Sequence, residues 1–312
     1  FMSEDILKPT NDVLMSGSIT QGVQVEKFED ELKKYFEIPY VLTLNSATAG
    51  LTLALRLLKN KDIDLNWNGF DEKDYIVLTP ALTCFATTAS VLINNVNIRW
   101  IDIDPNTVNI DLNDLKNKLS EKTKIIYIVH WGGYPVDLDK LKELQEYSLE
   151  KFRFKPMIVE DCAHAFGATY KGKKLGNHGN ICVFSLQAIK HLTTGDGGII
   201  ILPTQKLYDR CKLLRWYGIN RDKRNYKGKD FRLENDIEEY GYKFHMNDIN
   251  ATIGLHNLPH ITSNLQCHRD NASYYFNELK DIDGISLLEN ANDREGSWWL
   301  FTFLVNNKNC FS

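Results

Sequence analysis

A lysine with unusual neighbours lies in the middle of the chain, between two strand-like runs. Lys190 follows apolar residues and precedes a turn of small residues at 193–198. An ammonium in such surroundings either snorkels to water or stays partly desolvated, and desolvation lowers its pKa and frees the amine as a nucleophile. Considered alone, Lys190 is more simply explained as a surface lysine.

Two carboxylates and an imidazole follow another apolar run, at 157–159. They belong to Glu160, Asp161 and His164, and the end of such a strand is where open α/β sheets bind ligands. A carboxylate there can pair with a protonated pyridine nitrogen, whose charge makes the ring an electron sink. Asp161 could equally cap a helix by accepting hydrogen bonds from backbone amides. The residues alone leave both interpretations open.

A third candidate is the small-residue turn at 45–50, which precedes a helical pattern. Free amides, a hydroxyl and the helix dipole suit a phosphate there, although ligand-free caps of this composition are common. An amine nucleophile, a carboxylate for a ring nitrogen and a phosphate site at the loop ends of one sheet are what pyridoxal phosphate requires. The combination therefore favours a site for this cofactor.

The hydrophobic pattern predicts an α/β fold that could position these residues. Amphipathic helices are indicated at 24–36 and 49–58. Between helices lie short runs that are apolar on both faces, which is typical of a buried parallel sheet. These runs are 75–78, 98–103, 125–129, 157–159, 181–184 and 198–202. The prediction is a large three-layer domain over residues 1–247, with a mostly parallel sheet flanked by helices.

The pattern changes after residue 247. A helical pattern starts there, is interrupted at Pro259 and resumes towards Leu279, before an apparent strand pair, and the segment 298–305 is strand-like. This predicts an interdomain helix and a small α+β domain over 248–312, which looks truncated. The Lys- and Asp-rich stretch 221–236 predicts an exposed loop.

Composition and charge disfavour several classes of protein. The 37 basic and 41 acidic residues give a net charge of 37 − 41 = −4, which gives no general attraction to nucleic acid or anionic membranes. Six well-separated cysteines without a C-x-x-C pair favour a reduced, cytoplasmic protein, and the histidines lack metal-ligand spacing. No apolar run approaches the ~18 residues of a spanning helix. A Rossmann dehydrogenase is disfavoured because no strand precedes a G-x-G-x-x-G motif.

Seven motifs along nearly the whole chain resemble the DegT/DnrJ/EryC1/StrS family of sugar aminotransferases, within fold type I of the pyridoxal-phosphate enzymes. The motifs are at 17–22, 45–50, 102–107, 129–135, 160–167, 184–198 and 241–248. The resemblance implies the aspartate aminotransferase fold and a homodimer whose active sites use both subunits, with 241–246 reaching the neighbour's phosphate. It also implies that glutamate gives its amino group to a nucleotide-linked keto-deoxy sugar for surface polysaccharide or glycoconjugates.

The resemblance further implies a role for each site residue. Lys190 would carry pyridoxal phosphate as a Schiff base and act as general acid and base, with Asp161 on the pyridine nitrogen and His164 near the phenolic oxygen. The phosphate would be held by Ala47, Thr48 and Ser185. His191, the neighbour of Lys190, is expected to pack behind the site.

Three positions depart from the family's pattern. Cys84 replaces an aromatic residue that stacks on the ring, and its polarizable sulfur is expected to pack on the ring face while Phe85 points elsewhere. Lys243 replaces a frequent asparagine and is expected to bind the phosphate. His245 replaces a frequent arginine, which removes a fixed charge from the substrate side.

Three alternatives stand beside this interpretation. The acceptor could be a small phosphorylated ketone such as dihydroxyacetone phosphate. The chain could instead bind pyridoxal phosphate without catalysing a reaction. The dehydratase branch of the family has histidine at the lysine position, so Lys190 argues against it.

Overall fold

A seven-stranded sheet forms the centre of the protein. The structure, a computed structural model, describes residues 2–70, 76–221 and 237–306. Its strands are β1 (Val41–Leu44), β2 (Ile76–Pro80), β3 (Asn97–Ile101), β4 (Thr123–Val129), β5 (Met157–Asp161), β6 (Thr169–Tyr170), β7 (Lys173–Lys174), β8 (Ile181–Ser185), β9 (Gly198–Ile201), β10 (Ile285–Leu287), β11 (Arg294–Glu295) and β12 (Phe303–Val305). The large sheet has the order β1-β9-β8-β5-β4-β2-β3.

Most of this sheet is parallel, as predicted. Strands β3, β2, β4, β5 and β8 run in one direction, whereas β9 is antiparallel to both β8 and β1. Each predicted apolar run overlaps one of these strands, but the pattern does not predict β1. The expectation that 98–103 is buried on both faces is wrong, because β3 lies at the sheet edge and Trp100 is 47 % exposed.

Helices cover both faces of the sheet. They are α1 (Leu7–Ser16), α2 (Val23–Phe36), α3 (Ala47–Leu58), α4 (Phe85–Ile93), α5 (Leu112–Lys118), α6 (Leu138–Phe152), α7 (Gln205–Leu214), α8 (Asp248–Asn257) and α9 (Ile261–Leu279). The predicted helix at 24–36 is confirmed as α2, which buries Val25, Phe28, Leu32 and Phe36 at helical spacing.

Two apolar cores, one on each face of the sheet, produce the three layers. Neighbouring residues of a strand contribute to opposite cores, as the two-residue period of a strand requires. Ile158 lies in the core shared with α2, α6 and α9. Val159 lies in the core shared with α3 and α7. The predicted three-layer α/β fold is therefore confirmed.

The chain after residue 247 packs closely on the preceding elements. The Asp248 carboxylate at the start of α8 accepts hydrogen bonds from the backbone N–H groups of Gly22, at 2.8 Å, and Val25, at 3.1 Å. The predicted interruption at Pro259 is a turn of 3-10 helix, Leu258–His260, between α8 and α9. The strand predicted at 298–305 is shorter, because only β12 pairs, with β10. A domain boundary at 247 stays a prediction.

Two further expectations concern the exposed loop at 221–236 and membrane-spanning helices. Of the predicted exposed loop 221–236, residues 222–236 lie outside the described part of the structure. None of the helices that the structure describes is long and apolar enough to cross a membrane.

Arg215→Met is expected to lower the free energy of unfolding by ~3–5 kcal/mol, because it leaves a buried carboxylate without its counter-charge. Arg215 is 1 % exposed and pairs through Nη1 with Glu29. The same Glu29 oxygen accepts hydrogen bonds from the Thr43 N–H and hydroxyl groups, at 2.9 and 2.8 Å. Urea unfolding measures the loss. The double variant Glu29→Gln/Arg215→Met should recover part of it, and an unchanged midpoint in the single variant would contradict the argument.

Candidate active site

The ends of several strands bring the predicted site residues to one edge of the sheet. Asp161 is the last residue of β5, Ser185 is the last residue of β8, and these strands pair in parallel. Strand β1 has the same direction as β8, because both are antiparallel to β9. The start of α3, directly after β1, therefore lies at this same edge.

Asp161 is buried and held through both carboxylate oxygens. Its Oδ2 accepts a hydrogen bond from the Thr87 hydroxyl at 2.7 Å, and its Oδ1 accepts one from the Ala163 N–H at 3.0 Å. Burial raises the pKa of this carboxyl above its usual value, although the two hydrogen bonds and the charge of Lys190 act in the opposite direction. Ala163 belongs to a turn and not to a helix, so the helix-cap interpretation does not describe this contact.

Lys190 is half-buried near Asp161. Its Nζ lies 3.4 Å from the centroid of the Trp299 ring. Burial lowers the pKa of Lys190 to about 8, while the negative charge of Asp161 acts to raise it. A substantial fraction of this amine is therefore neutral, and able to act as a nucleophile, near physiological pH.

His164 is buried between two tryptophans. Its ring stacks on Trp299 with centroids 4.1 Å apart and an interplanar angle of 22°, and Trp131 contacts it edge-on at 5.7 Å. Burial, followed by the charges of Lys190 and His191, lowers its pKa to about 3. The ring is therefore neutral. Its buried Nδ1 has no hydrogen-bond partner among the described residues, which leaves it available to a bound group.

The start of α3 offers free amides to an anion. Ala47 and Thr48 are its first two residues, and Ser46 caps it by accepting from the Ala49 N–H at 3.1 Å. Amides at the first helical positions have no acceptor inside the helix. A Cβ on Gly198 would lie 2.4 Å from the Ser46 carbonyl oxygen, so only glycine allows this close approach.

Ser185 lies beside the start of α3, because it pairs directly with Gly198. Its buried hydroxyl accepts from the Gln187 N–H at 3.3 Å. The segment that carries Lys243 also passes the start of α3, since Asn45 donates from Nδ2 to the Lys243 carbonyl at 3.2 Å. This backbone contact lies within one chain. The role of the exposed Lys243 side chain at a neighbour's phosphate stays a prediction.

Two of the residues that depart from the family's pattern, Cys84 and His245, differ in their exposure to solvent. Cys84 precedes α4 with an exposed thiol, and Phe85 is 72 % exposed. His245 is buried with its ring centroid 3.7 Å from that of Trp216. Burial, followed by the charges of Lys243 and other cations, lowers the pKa of His245 to about 4. His245 is therefore neutral, in contrast to the arginine that it replaces.

Sequence reasoning missed Thr87 and Trp299, which contact Asp161 and Lys190 respectively. Thr87 lies four residues after Thr83, and their hydroxyl oxygens are 2.7 Å apart. Thr83 precedes α4, which begins at Phe85, so no helical spacing in the sequence marks Thr87. Two adjacent tryptophans at 298 and 299 are a weak signal, because nothing local relates them to the lysine loop.

The buried pair His130–Glu160 resembles part of a metal site, but the hydrogen bonds of the histidine are already satisfied. Ligand atoms of His130, Glu160 and Cys162 lie within 4.8 Å of one another. The His130 Nδ1 accepts from the Val136 N–H at 3.0 Å, so Nε2 carries the proton and donates to Glu160 at 2.8 Å. Neither nitrogen has a lone pair to offer to a metal, and the pair is structural.

The fold and the site together define a three-layer α/β protein with a half-buried lysine, Lys190, in the loop that follows β8 at the carboxyl edge of its sheet. The sequence model of the DegT/DnrJ/EryC1/StrS aminotransferase family matches residues 1–312. The chain therefore belongs to this family, and it is an aminotransferase. The resemblance inferred from the seven motifs is confirmed.

Relatives and solved structures extend this result. The sugar aminotransferase CalS13 from Micromonospora echinospora superposes with a TM-score of 0.89 at 42 % identity, covering 98 % of this chain and 79 % of that one. Spr1654 from Streptococcus pneumoniae, in its PLP form, gives a TM-score of 0.82 at 28 % identity over 98 % and 76 %. The UDP-4-amino-4-deoxy-L-arabinose–oxoglutarate aminotransferase of Shewanella sediminis is 30 % identical over 287 residues, which are 92 % of this chain and 69 % of that protein.

Proposed function

We propose that this chain uses pyridoxal phosphate to move the amino group of glutamate to a keto group of a nucleotide-linked keto-deoxy sugar, for surface polysaccharide or glycoconjugate synthesis. One observation carries the proposal: Lys190, Asp161 and the open start of α3 share one edge of the sheet. The Shewanella relative supports the substrates, because its name joins a UDP-linked sugar to oxoglutarate, the keto acid of glutamate.

The residues present fit this cofactor. A bound cofactor ring could use the unpartnered Nδ1 of His164. A bound phosphate could use the free amides at the start of α3, where Gly198 allows a close approach to Ser46. In the proposal, Ala47, Thr48 and Ser185 hold the phosphate, with Lys243 contributing across a subunit boundary. Cys84 packs on the ring face. When bound, pyridoxal phosphate supplies an electron sink for charge that develops at the substrate carbon.

The chain's own residues perform the proton transfers. Lys190 would hold the cofactor through Nζ, and once free its amine would carry the proton between the α carbon of the substrate and C4′ of the cofactor. A pKa of about 8 suits both directions of this transfer near neutral pH. Asp161, fixed by Thr87 and Ala163, places a negative charge against the ring nitrogen. His164 offers a neutral polar atom to the phenolic oxygen without adding charge.

We also propose a homodimer with shared active sites. Phe85 and Ile189 flank the site residues Cys84 and Lys190, and they are 72 % and 65 % exposed. Large apolar side chains beside a reaction site are suited to burial by a second subunit.

The five described cysteines are free thiols, which fits the reducing cytoplasm where we place the reaction.

The test is a transfer assay with the purified full chain, pyridoxal phosphate and glutamate that carries a heavy nitrogen isotope. A UDP-linked 4-keto-6-deoxy hexose is expected to gain the label, detected by mass spectrometry, because its keto group is the proposed acceptor. Dihydroxyacetone phosphate is assayed in parallel, and labelling of it alone would favour the alternative acceptor. A chain that retains the cofactor but converts glutamate to no oxoglutarate would instead be a non-catalytic homologue.

A further inference from the structure

The ring of Trp299 contacts the side chains of both Lys190 and His164. One contact of its ring is the Lys190 ammonium, 3.4 Å from the centroid, and another is the stacked His164 ring at 4.1 Å. Its indole Nε1–H donates to the Ile189 carbonyl at 2.9 Å. Trp299 therefore contacts both Lys190 and the backbone of the preceding residue.

The backbone around Trp299 is anchored on both sides of the site. His191, on the lysine loop, donates from Nε2 to the Ser297 carbonyl at 2.9 Å. His268, on α9, donates from Nδ1 to the Trp298 carbonyl at 3.1 Å. These bonds connect the segment to two separate elements. The indole face is therefore a built part of the site and not a surface side chain that happens to lie near it.

The contact between Lys190 and Trp299 depends on charge. The electron-rich face of an indole attracts an ammonium, and this attraction is lost when the amine becomes neutral. The other groups that face Lys190 are Asp161, whose negative charge raises its pKa, the Cys84 thiol, and His164 and His191, which are neutral because burial lowers the pKa of each to about 3. Trp299 therefore contributes a separate attraction that acts on the ammonium form only.

We propose that Trp299 is a positioning residue for Lys190, whose indole face holds the ammonium form of the side chain and releases the neutral amine for attachment to the cofactor. The proposal rests on the proposed role of Lys190. Trp299 touches none of the reacting atoms in this scheme. Its effect is on where the lysine rests and on how readily it loses its proton.

Replacing Trp299 by tetrafluorotryptophan is expected to lower the pKa of Lys190 by ~0.5–1.5, the shift that corresponds to the loss of a cation–π contact. Fluorination keeps the shape of the ring but removes the negative charge of its face. The pKa is measured from the pH dependence of Lys190 acetylation by acetic anhydride, followed by mass spectrometry on the full chain without added cofactor. With a pKa of about 8, roughly half of Lys190 is neutral at pH 8, against about 0.3 % of a lysine with the ordinary pKa of 10.5.

The matched control is the same analogue at position 298. The Trp298 ring stacks on Tyr134 at 5.6 Å, so its fluorination should leave the Lys190 profile unchanged. Trp299→Phe retains a ring face and is expected to give an intermediate pKa, with thermal melting to check the fold. An unshifted profile for the analogue at 299, or an equal shift from the one at 298, overturns the proposal.

This measurement also separates the proposal from the proposed function. Lys190 acetylation is read without pyridoxal phosphate, so a shifted profile supports the contact even in a chain that never attaches the cofactor. A chain that never attaches the cofactor would contradict the proposed role of Lys190. Trp299 would then still contact the ammonium, but it would have no role in positioning a catalytic lysine. Cofactor attachment at Lys190 combined with an unshifted profile would overturn the role of Trp299 alone.

Discussion

Lys190→Ala is expected to abolish covalent attachment of pyridoxal phosphate and to lower kcat for amino transfer by about a thousandfold or more. The variant removes both the amine that holds the cofactor and the general acid and base, and the second loss alone typically costs a hundredfold to ten-thousandfold. The side chain is half-buried, and its removal should leave the fold intact. Borohydride treatment followed by peptide mass spectrometry measures attachment, and the isotope assay measures transfer.

Two comparisons show whether the effect belongs to the amine at this position. Lys206→Ala removes a 50 % exposed lysine side chain on α7 that lies 3.8 Å from Asp62, and it should retain both attachment and transfer. Lys190→Arg keeps a positive charge but cannot supply a neutral amine near neutral pH, so it should behave like the alanine variant. A borohydride-fixed cofactor in Lys190→Ala, on any other lysine, would contradict the assignment.

Local pattern was sufficient to predict the sheet and the residues at its edge. Asp161 and Ser185 each end a buried apolar run, and parallel strands place such ends together. The anion site at the start of α3 could also be predicted from local pattern, because small residues at the entry to a helix leave backbone amides free. Strand β1 was not predicted, because the polar Thr43 interrupts its short apolar run.

Contacts between distant parts of the chain could not be predicted in this way. The hydrogen bond from Trp299 to Ile189 joins residues 110 positions apart, and Glu29 and Arg215 are separated by 186. Periodicity reports which face of an element is buried, but not which element covers it. Trp299 became a candidate only when the fold brought 296–300 against the lysine loop. The same holds for Thr87, whose hydroxyl finds its partner 74 residues away.

Asp161→Asn is expected to lower kcat about a hundredfold to a thousandfold, the usual cost of removing one fixed charge from a buried site. Asparagine has the same shape and can still accept from the Ala163 N–H through its oxygen. Its amide would face Thr87, whose hydroxyl can turn to accept because Thr83 offers an alternative partner at 2.7 Å. The fold is therefore preserved while the negative charge against the ring nitrogen is lost. Steady-state kinetics and thermal melting measure the two effects separately.

The charge argument makes a graded prediction at the same carboxylate. Thr87→Val removes one hydrogen bond to Asp161 but retains its charge, so kcat should fall about tenfold, near the lower end of the ~1.5–3 kcal/mol that a hydrogen bond to a charged group contributes. Asp161→Glu keeps the charge on a longer side chain that cannot keep both bonds, and its rate should lie between those of Thr87→Val and Asp161→Asn. The order Thr87→Val, Asp161→Glu, Asp161→Asn follows only if charge outweighs orientation. An Asp161→Asn enzyme as fast as Thr87→Val would show that the ring nitrogen needs no negative partner here.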